Sequence, residues 1–170
     1  WLPPQFLSTP TTTSLSQTPA YKLGQIYGID AASSATVVAL GLKPGHDVLD
    51  LCCAPGAKLC LAADLLNRHG SVTGVDISKS RLTTCNALLK KYGIADHPAT
   101  ENSPWRCRVI CADGTTFNPA EGGEGTNLLL DSQRRLELDP KFLDRKRKNK
   151  SWRRREGQGG KGMGVGMGVV

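Results

Sequence analysis

Residues 48–58 read VLDLCCAPGAK, and the order of residue types in that run decides the fold. A continuous apolar stretch from Val48 to Cys53 suits a strand buried in a parallel sheet, and the Ala54-Pro55-Gly56 turn ends it. Residues 58–67 (KLCLAADLLN) then have helical composition and stop before Gly70. The pattern repeats. Ser71 to Ile77 (SVTGVDI) reads as a second strand. Ser78 caps a helix in which Leu82, Cys85, Leu89 and Tyr92 keep helical spacing, closed by Gly93. Cys107 to Ala112 predicts a third strand, and Asn127 to Leu130 a fourth, entered through the Gly-rich loop 122–125. Upstream, Ala31 to Leu42 predicts a short helix stopped by Gly41 and Pro44-Gly45. Strands alternating with helices at this spacing predict an α/β fold with a parallel, doubly wound, Rossmann-like sheet.

Outside this region the character of the chain changes. Residues 1–24 form a Pro/Ser/Thr-rich arm or linker, residues 25–140 carry the domain, and residues 141–170 are basic and then Gly-rich, with no core periodicity. That tail is expected to be disordered. It holds 10 of the 22 Lys and Arg and 2 of the 15 Asp and Glu, a net of +8, so the other 140 residues sum to −1. The formal charge of +7 therefore describes the tail and not the domain. With 170 residues there is room for one core, and no apolar run is long enough to span a bilayer. The chain starts at Trp1 without a basic-then-apolar leader, which reads as a fragment or a processed piece. Six cysteines fall in apolar segments or side by side at Cys52-Cys53, with no CxxC pair. They suit reduced thiols in an intracellular protein and make no metal site.

In such folds ligands lie across the carboxyl ends of the strands. Acidic residues stand there in each repeat: Asp50, Asp76, Asp113 and Asp131. The turn Cys52–Lys58 puts small residues where backbone approaches a ligand and opens a helix N-terminus, which favours a carboxylate or phosphate. Asp76 follows Asp50 by 26 residues, a spacing suited to a carboxylate on ribose hydroxyls. GxGxxG is absent, and Gly56-Ala57-Lys58 lacks the full phosphate-loop frame. Each aspartate could equally cap a helix or form a turn.

The residues from Asp50 to Lys58 (DLCCAPGAK) closely resemble the D-x-C-A-A-P-G-G-K signature of the Nol1/Nop2/Sun (RsmB-like) family, RNA cytosine-5 methyltransferases that use S-adenosylmethionine. Gly28-Ile29-Asp30-Ala31-Ala32-Ser33 resembles that family's Q-D-x-A-S lead-in. Lys43-Pro44-Gly45, Val75-Asp76-Ile77-Ser78 with Arg81, and Ala112-Asp113-Gly114 stand at its further landmarks. The resemblance covers about residues 25–131. It implies a class I methyltransferase fold, here about four of seven strands. It also implies S-adenosylmethionine as cofactor, rRNA or tRNA as partner, no metal, and a place in the nucleus, nucleolus, cytoplasm or an organelle. By the same resemblance Cys52, Cys53, Ala54, Pro55, Gly56, Ala57 and Lys58 hold the methionine part and Asp76 the ribose. Arg81 braces that loop, Asp113 lies by the adenine, and Asp131 opens the D-x-P-C catalytic motif.

That motif is broken. Asp131 is followed by Ser132-Gln133-Arg134-Arg135, with no Pro-Cys after it. The resemblance implies two catalytic cysteines, one in that motif and one further on in a T-C segment expected past the region of resemblance; neither has a counterpart here, and no catalytic residue is identified. The resemblance thus admits two expectations, a part of an RNA cytosine-5 methyltransferase or an inactive relative that holds cofactor, RNA or both. The basic run 141–155, with Trp152 inside it, is compatible with RNA contacts or a nuclear address. Its abrupt onset where family residues stop favours an altered reading frame, splice product or gene-model error. A sheet ending at a fourth strand leaves an apolar edge and predicts marginal stability.

Overall fold

The structure is a computed structural model, and it describes residues 6–8, 14–96, 104–119, 127–134 and 167–169. Its centre is a four-stranded sheet, β3 (Asp47–Asp50), β4 (Gly70–Asp76), β5 (Trp105–Cys111) and β6 (Leu128–Asp131), in that spatial order. Helices α3 (Ala57–Leu65) and α4 (Lys79–Lys91) link the first three strands, which are parallel. In β4, residues 72–76 are all buried, as expected of a central parallel strand. Helix α4 turns one apolar stripe inward, Leu82, Cys85 and Leu89, whereas α3 is buried on nearly every side through Leu59, Cys60, Leu61, Ala62 and Ala63. They meet Val72, Cys107 and Val109 in one core. Trp105 is fully buried and places its indole N–H on the Ile94 carbonyl at 2.9 Å, which satisfies the ring's one polar group.

Gly74 sets the distance between layers. A Cβ there would stand 2.5 Å from Leu59 Cδ1 and 2.8 Å from Cys53 Sγ, so only glycine lets α3 and the turn before it close onto β4. The helix starts are local chemistry. Asp30 caps α2 (Ala31–Ala39) by accepting from the Ser33 N–H at 2.8 Å, and Ser78 caps α4 through the Arg81 N–H.

The chain before the sheet is clasped to it. Short elements β1 (Phe6–Ser8), α1 (Pro19–Lys22) and β2 (Gly28–Ile29) precede α2. Tyr27 packs edge-on to Tyr92, ring centroids 5.1 Å apart, and donates from Oη to Asp64 Oδ2 at 3.0 Å. Tyr92 Oη donates to the Ile26 carbonyl, and the Lys91 ammonium sits 3.4 Å from the Tyr21 ring centre. These contacts hold Gly28–Asp30 beside the β3–α3 turn. From the tail, β7 (Met167–Val169) lies between β1 and β2 and runs parallel to both. The basic run 141–155 lies outside the described residues.

One expectation needs correction. The fourth strand was expected to be parallel, but β6 pairs antiparallel with β5, with Arg108 opposite Asp131 and Val109 opposite Leu130. A parallel return needs a crossover of a dozen or more residues, usually a helix. The described part of this connection, 112–119, holds turns and no α-helix. The pair between Arg106 and Asp131 then fixes the direction. The α/β, Rossmann-like class stands, but the described order β3-β4-β5-β6 contains no reversal, and among the described residues no strand pairs with the outer edge of β3. Leu49 and Leu51 are 43% and 41% exposed there. Among the described residues no helix is long and apolar enough to cross a membrane.

Candidate cofactor-binding site

The turn between β3 and α3 is built by two carboxylates and one guanidinium. Asp50, at the end of β3, accepts from the Cys52 N–H at 3.0 Å and so starts the reversal. Cys53 returns its N–H to the Val75 carbonyl at 3.0 Å, and Ala54 N–H donates to Asp76 Oδ2 at 3.2 Å. Arg81, one turn into α4, donates from Nη2 to the Ala54 carbonyl at 2.5 Å, with Nη1 3.5 Å from Asp76 Oδ2. The Ala54–Pro55 peptide is cis. Gly56 is left-handed, φ 111°, and a Cβ there would stand 2.9 Å from Cys85 Sγ. No other residue type meets both conditions without strain. The outcome is a helix N-terminus, α3, whose first N–H groups face an opening and not a side-chain cap.

That opening is a cavity of about 440 Å³. One wall is the turn 52–58, and the other is Gly28–Asp30 with Ser33. Lys58 stands on the rim, fully to the solvent side of α3, and its charge is felt by both Asp30 and Asp50. The Ser33 side chain and N–H hold the Asp30 carboxyl below its usual range. Burial pushes the Asp50 carboxyl up, against the opposing Cys52 N–H and Lys58 charge. A positive helix end with a lysine thus stands across this space from the Asp30 carboxylate, with Asp50 at the base of the turn. That arrangement is complementary to a zwitterion.

The structure therefore brings Cys52, Cys53, Ala54, Pro55, Gly56, Ala57 and Lys58 to one cavity, with Asp76 and Arg81 directly behind the turn. Asp76 is 3% exposed, and its other oxygen accepts from the Ser78 N–H at 2.9 Å. As found, it is a strut of the turn. Asp113 follows β5, one strand beyond Asp76, and its Oδ1 accepts from the Thr115 N–H and hydroxyl, which lower its pKa. It is a turn-former in this arrangement.

Asp131 is not brought to the site. Because β6 is antiparallel, its end lies opposite Arg108, while the cleft lies where Asp76 meets Cys111. Its carboxylate, 1% exposed, is held by Arg106 Nη2 at 2.7 Å and by the Gln133 N–H at 3.0 Å. Two features escaped the sequence reading. Asp30 and Ser33 form a wall of the cavity; the sequence marked their segment only by its resemblance to the family lead-in and gave it no binding role. Ile77, next to Asp76, is 71% exposed. With Leu51 it gives the strand tips an apolar surface, which no periodicity announces. Among the described residues there is no group of three His, Cys, Asp or Glu side chains able to hold a metal.

Residues 37–132 match the family described as 16S rRNA methyltransferase RsmB/F. The chain is 35% identical over 126 residues to the 5-cytosine rRNA methyltransferase NSUN4 of Bos taurus, covering 71% of this chain and 32% of that protein. It is 33% identical over 92 residues to a 28S rRNA (cytosine-C(5))-methyltransferase of Mus musculus, covering 54% of this chain and 20% of that one. Among solved structures it resembles NSun6 from Pyrococcus horikoshii with SFG. The TM-score is 0.50 at 28% identity, over 59% of this chain and 24% of that one. The chain thus spans about a third or less of the relatives it matches.

Proposed function

Because the chain belongs to the 16S rRNA methyltransferase RsmB/F family, we propose that its 52–58 turn binds S-adenosylmethionine and that the protein serves RNA cytosine-5 methylation. The observation that carries this reading is the cavity of about 440 Å³ between that turn and Asp30. Its charges suit the methionine end of the cofactor. The carboxylate goes to the α3 N-terminus and Lys58, and the ammonium to Asp30 and Asp50. Asp76 is the carboxylate for the ribose hydroxyls, its 3.5 Å contact with Arg81 yielding to them. Asp113 lies on the adenine side, and Ile77 and Leu51 supply apolar surface for the ring. Asp131 falls outside this set. The SFG in the Pyrococcus horikoshii structure, a cofactor analogue, supports the same choice of ligand.

When bound, S-adenosylmethionine supplies an electrophilic methyl group. Methylation at cytosine C5 then needs a thiolate to add at C6 and a base to remove the C5 proton. A second reading, that this chain holds cofactor without catalysing transfer, is favoured by one observation. Ser132-Gln133 follows Asp131, and that aspartate is committed to Arg106. RNA, rRNA or tRNA, is the partner in the first reading; the second holds cofactor, RNA or both. The 170-residue chain is taken as a domain core over 25–140, with an arm and a tail whose strands β1 and β7 join β2.

Calorimetric titration of S-adenosylmethionine tests the binding. Saturable heat that weakens about tenfold in Lys58→Ala, the loss of one charge-assisted contact, supports it. No heat from a chain with native circular dichroism rejects it. Transfer of labelled methyl to RNA separates the two readings, and the second predicts none.

A further inference from the structure

Side chains alternate across a strand, and the two faces of the sheet differ in character. Val72, Cys107 and Val109 point into the core shared with α3 and α4. Ser71 and Thr73 of β4 stand in register with Arg106 and Arg108 of β5 and take the opposite face. Leu49 of β3 pairs with Thr73 and extends that row. This second face borders a hollow of about 600 Å³ that also has Phe117 in its lining. Among the described residues no helix lines it. The hollow reaches Gly45, Gly70 and Pro104 at the strand starts, whereas the cofactor cavity lies at the strand ends.

The charges on this face are unequally paired. Arg106 is engaged by the Asp131 carboxylate at 2.7 Å. Asp47 accepts from the Ser71 hydroxyl at 2.6 Å. Arg108 is half-buried, and its Nε donates to the hydroxyl of the buried Thr73 at 3.2 Å. Asp131 stands opposite Arg108 in register, but its carboxylate goes to Arg106. Among the described residues no carboxylate pairs with Arg108, and its two Nη groups have no acceptor. A cation partly withdrawn from water without a counter-ion is costly. Thr73 anchors the guanidinium by one edge, so the remaining donors form a fork that matches phosphate oxygens.

We propose that this hollow is an RNA-anchoring site separate from the cofactor cavity, in which Arg108 takes one phosphodiester of a single strand and Phe117 stacks one base. The proposal rests on RNA being the partner, as in the first reading above, but not on cofactor binding. A simple anion would use the guanidinium alone. A nucleotide unit also uses the aromatic face of Phe117 and the apolar surface of Leu49 that share the hollow with it. Single-stranded RNA is favoured over a duplex because stacking on a side chain needs an unstacked base. The hollow lies at the other end of the strands from the 52–58 turn, so the nucleotide held here is a flanking one. It adds affinity and does not touch the reacting cytosine.

The test is fluorescence anisotropy of the full 170-residue chain with a labelled single-stranded RNA of about ten nucleotides, without cofactor, over a series of salt concentrations. Arg108→Gln should weaken binding about tenfold. It should also lower the slope of log K against log salt by about 0.7, the value for one phosphate on a single strand. Phe117→Ala should weaken binding about tenfold, as for one stacked base, and leave the slope as in the wild type. Arg108→Lys should keep the slope and only part of the affinity, because it keeps the charge and loses the fork. Lys22→Gln removes an exposed cation on α1 and should change neither quantity. Wild-type affinity and slope in Arg108→Gln overturn the proposal. So does an equal effect from Lys22→Gln, which would mean that diffuse charge holds the RNA. Loss of self-association in Arg108→Gln by light scattering, with RNA affinity unchanged, assigns the face to a second copy of the chain and overturns the proposal as well. Where Arg108→Gln lacks native circular dichroism, Phe117→Ala and Arg108→Lys decide, and wild-type affinity in both overturns it. Should Arg108 and Phe117 both matter while S-adenosylmethionine gives no heat, the cofactor reading falls and the RNA site stands.

Discussion

Arg106 Nη2 lies 2.7 Å from Asp131 Oδ2, and this pair joins the start of β5 to the end of β6 on the side of the sheet away from the cavity. The aspartate is buried, while 38% of the arginine side chain remains exposed. Arg106→Ala leaves a buried carboxylate with backbone donors only. We expect a loss of about 2 kcal/mol, reduced from the cost of breaking a fully buried pair because the guanidinium is partly screened by water. Urea unfolding measures it, and an unchanged midpoint would mean that β6 is not held by this pair.

The same carboxylate carries a pH dependence. Burial pushes Asp131 up, but Arg106 and the backbone N–H groups of Gln133 and Arg134 outweigh it, and the net shift is downward. A carboxyl whose folded value lies below its unfolded value of about 3.9 stabilises the fold above that value. The contribution is lost as pH falls through the folded value. Wild-type stability should therefore drop more than that of Asp131→Asn between about pH 6 and about pH 3. Parallel pH profiles of the two chains would refute the assignment.

Gly74→Ala tests the layer spacing. A methyl group 2.5 Å from Leu59 Cδ1 and 2.8 Å from Cys53 Sγ forces α3 or the 52–58 turn outward. Overpacking of this kind costs about 1–3 kcal/mol. Thermal or urea melts should show it, and S-adenosylmethionine affinity should fall with it because the displaced turn is the binding wall.

Tyr27→Phe removes one hydroxyl from the clasp. Asp64 then keeps its ion pair with Arg68 at 2.8 Å but loses the Oη donor. The expected cost is about 1 kcal/mol, with faster hydrogen exchange at Ile26–Asp30. Unaltered exchange there would show that the lead-in is held by packing alone.

Leu49→Lys addresses the open edge of β3. Leu49 is 43% exposed on a strand that, among the described residues, is paired on one side only. A charge on such an edge discourages pairing with another chain. The variant should stay monomeric at concentrations where the wild type associates, as light scattering would record, with a melting temperature changed little.

What could be read from the residues was the local part of the fold. Val48 to Cys53 followed by Pro55-Gly56 marks a strand, a turn and a helix start without reference to anything distant. Gly70–Asp76 and the Ser78 cap do the same for the second repeat. The direction of β6 was not legible, because Leu128–Asp131 is equally apolar in either orientation. The choice rests on a connection without a described helix and on Arg106, a residue 25 positions away. The site divided in the same manner. The 52–58 turn announced itself through small residues and a lysine. Its second wall, Asp30 and Ser33, and its ties to Arg81 and Cys85 depend on helix packing that brings separate segments together.

The most direct test of the account is a two-dimensional amide spectrum of the isotope-labelled chain during titration with S-adenosylmethionine. The predicted result is a set of saturable shifts confined to Gly28–Ser33, residues 51–58, the Asp76–Ser78 corner and Asp113, with the amides of Leu128–Asp131 unmoved. A spectrum that does not respond, or one in which β6 responds and the turn does not, would contradict it.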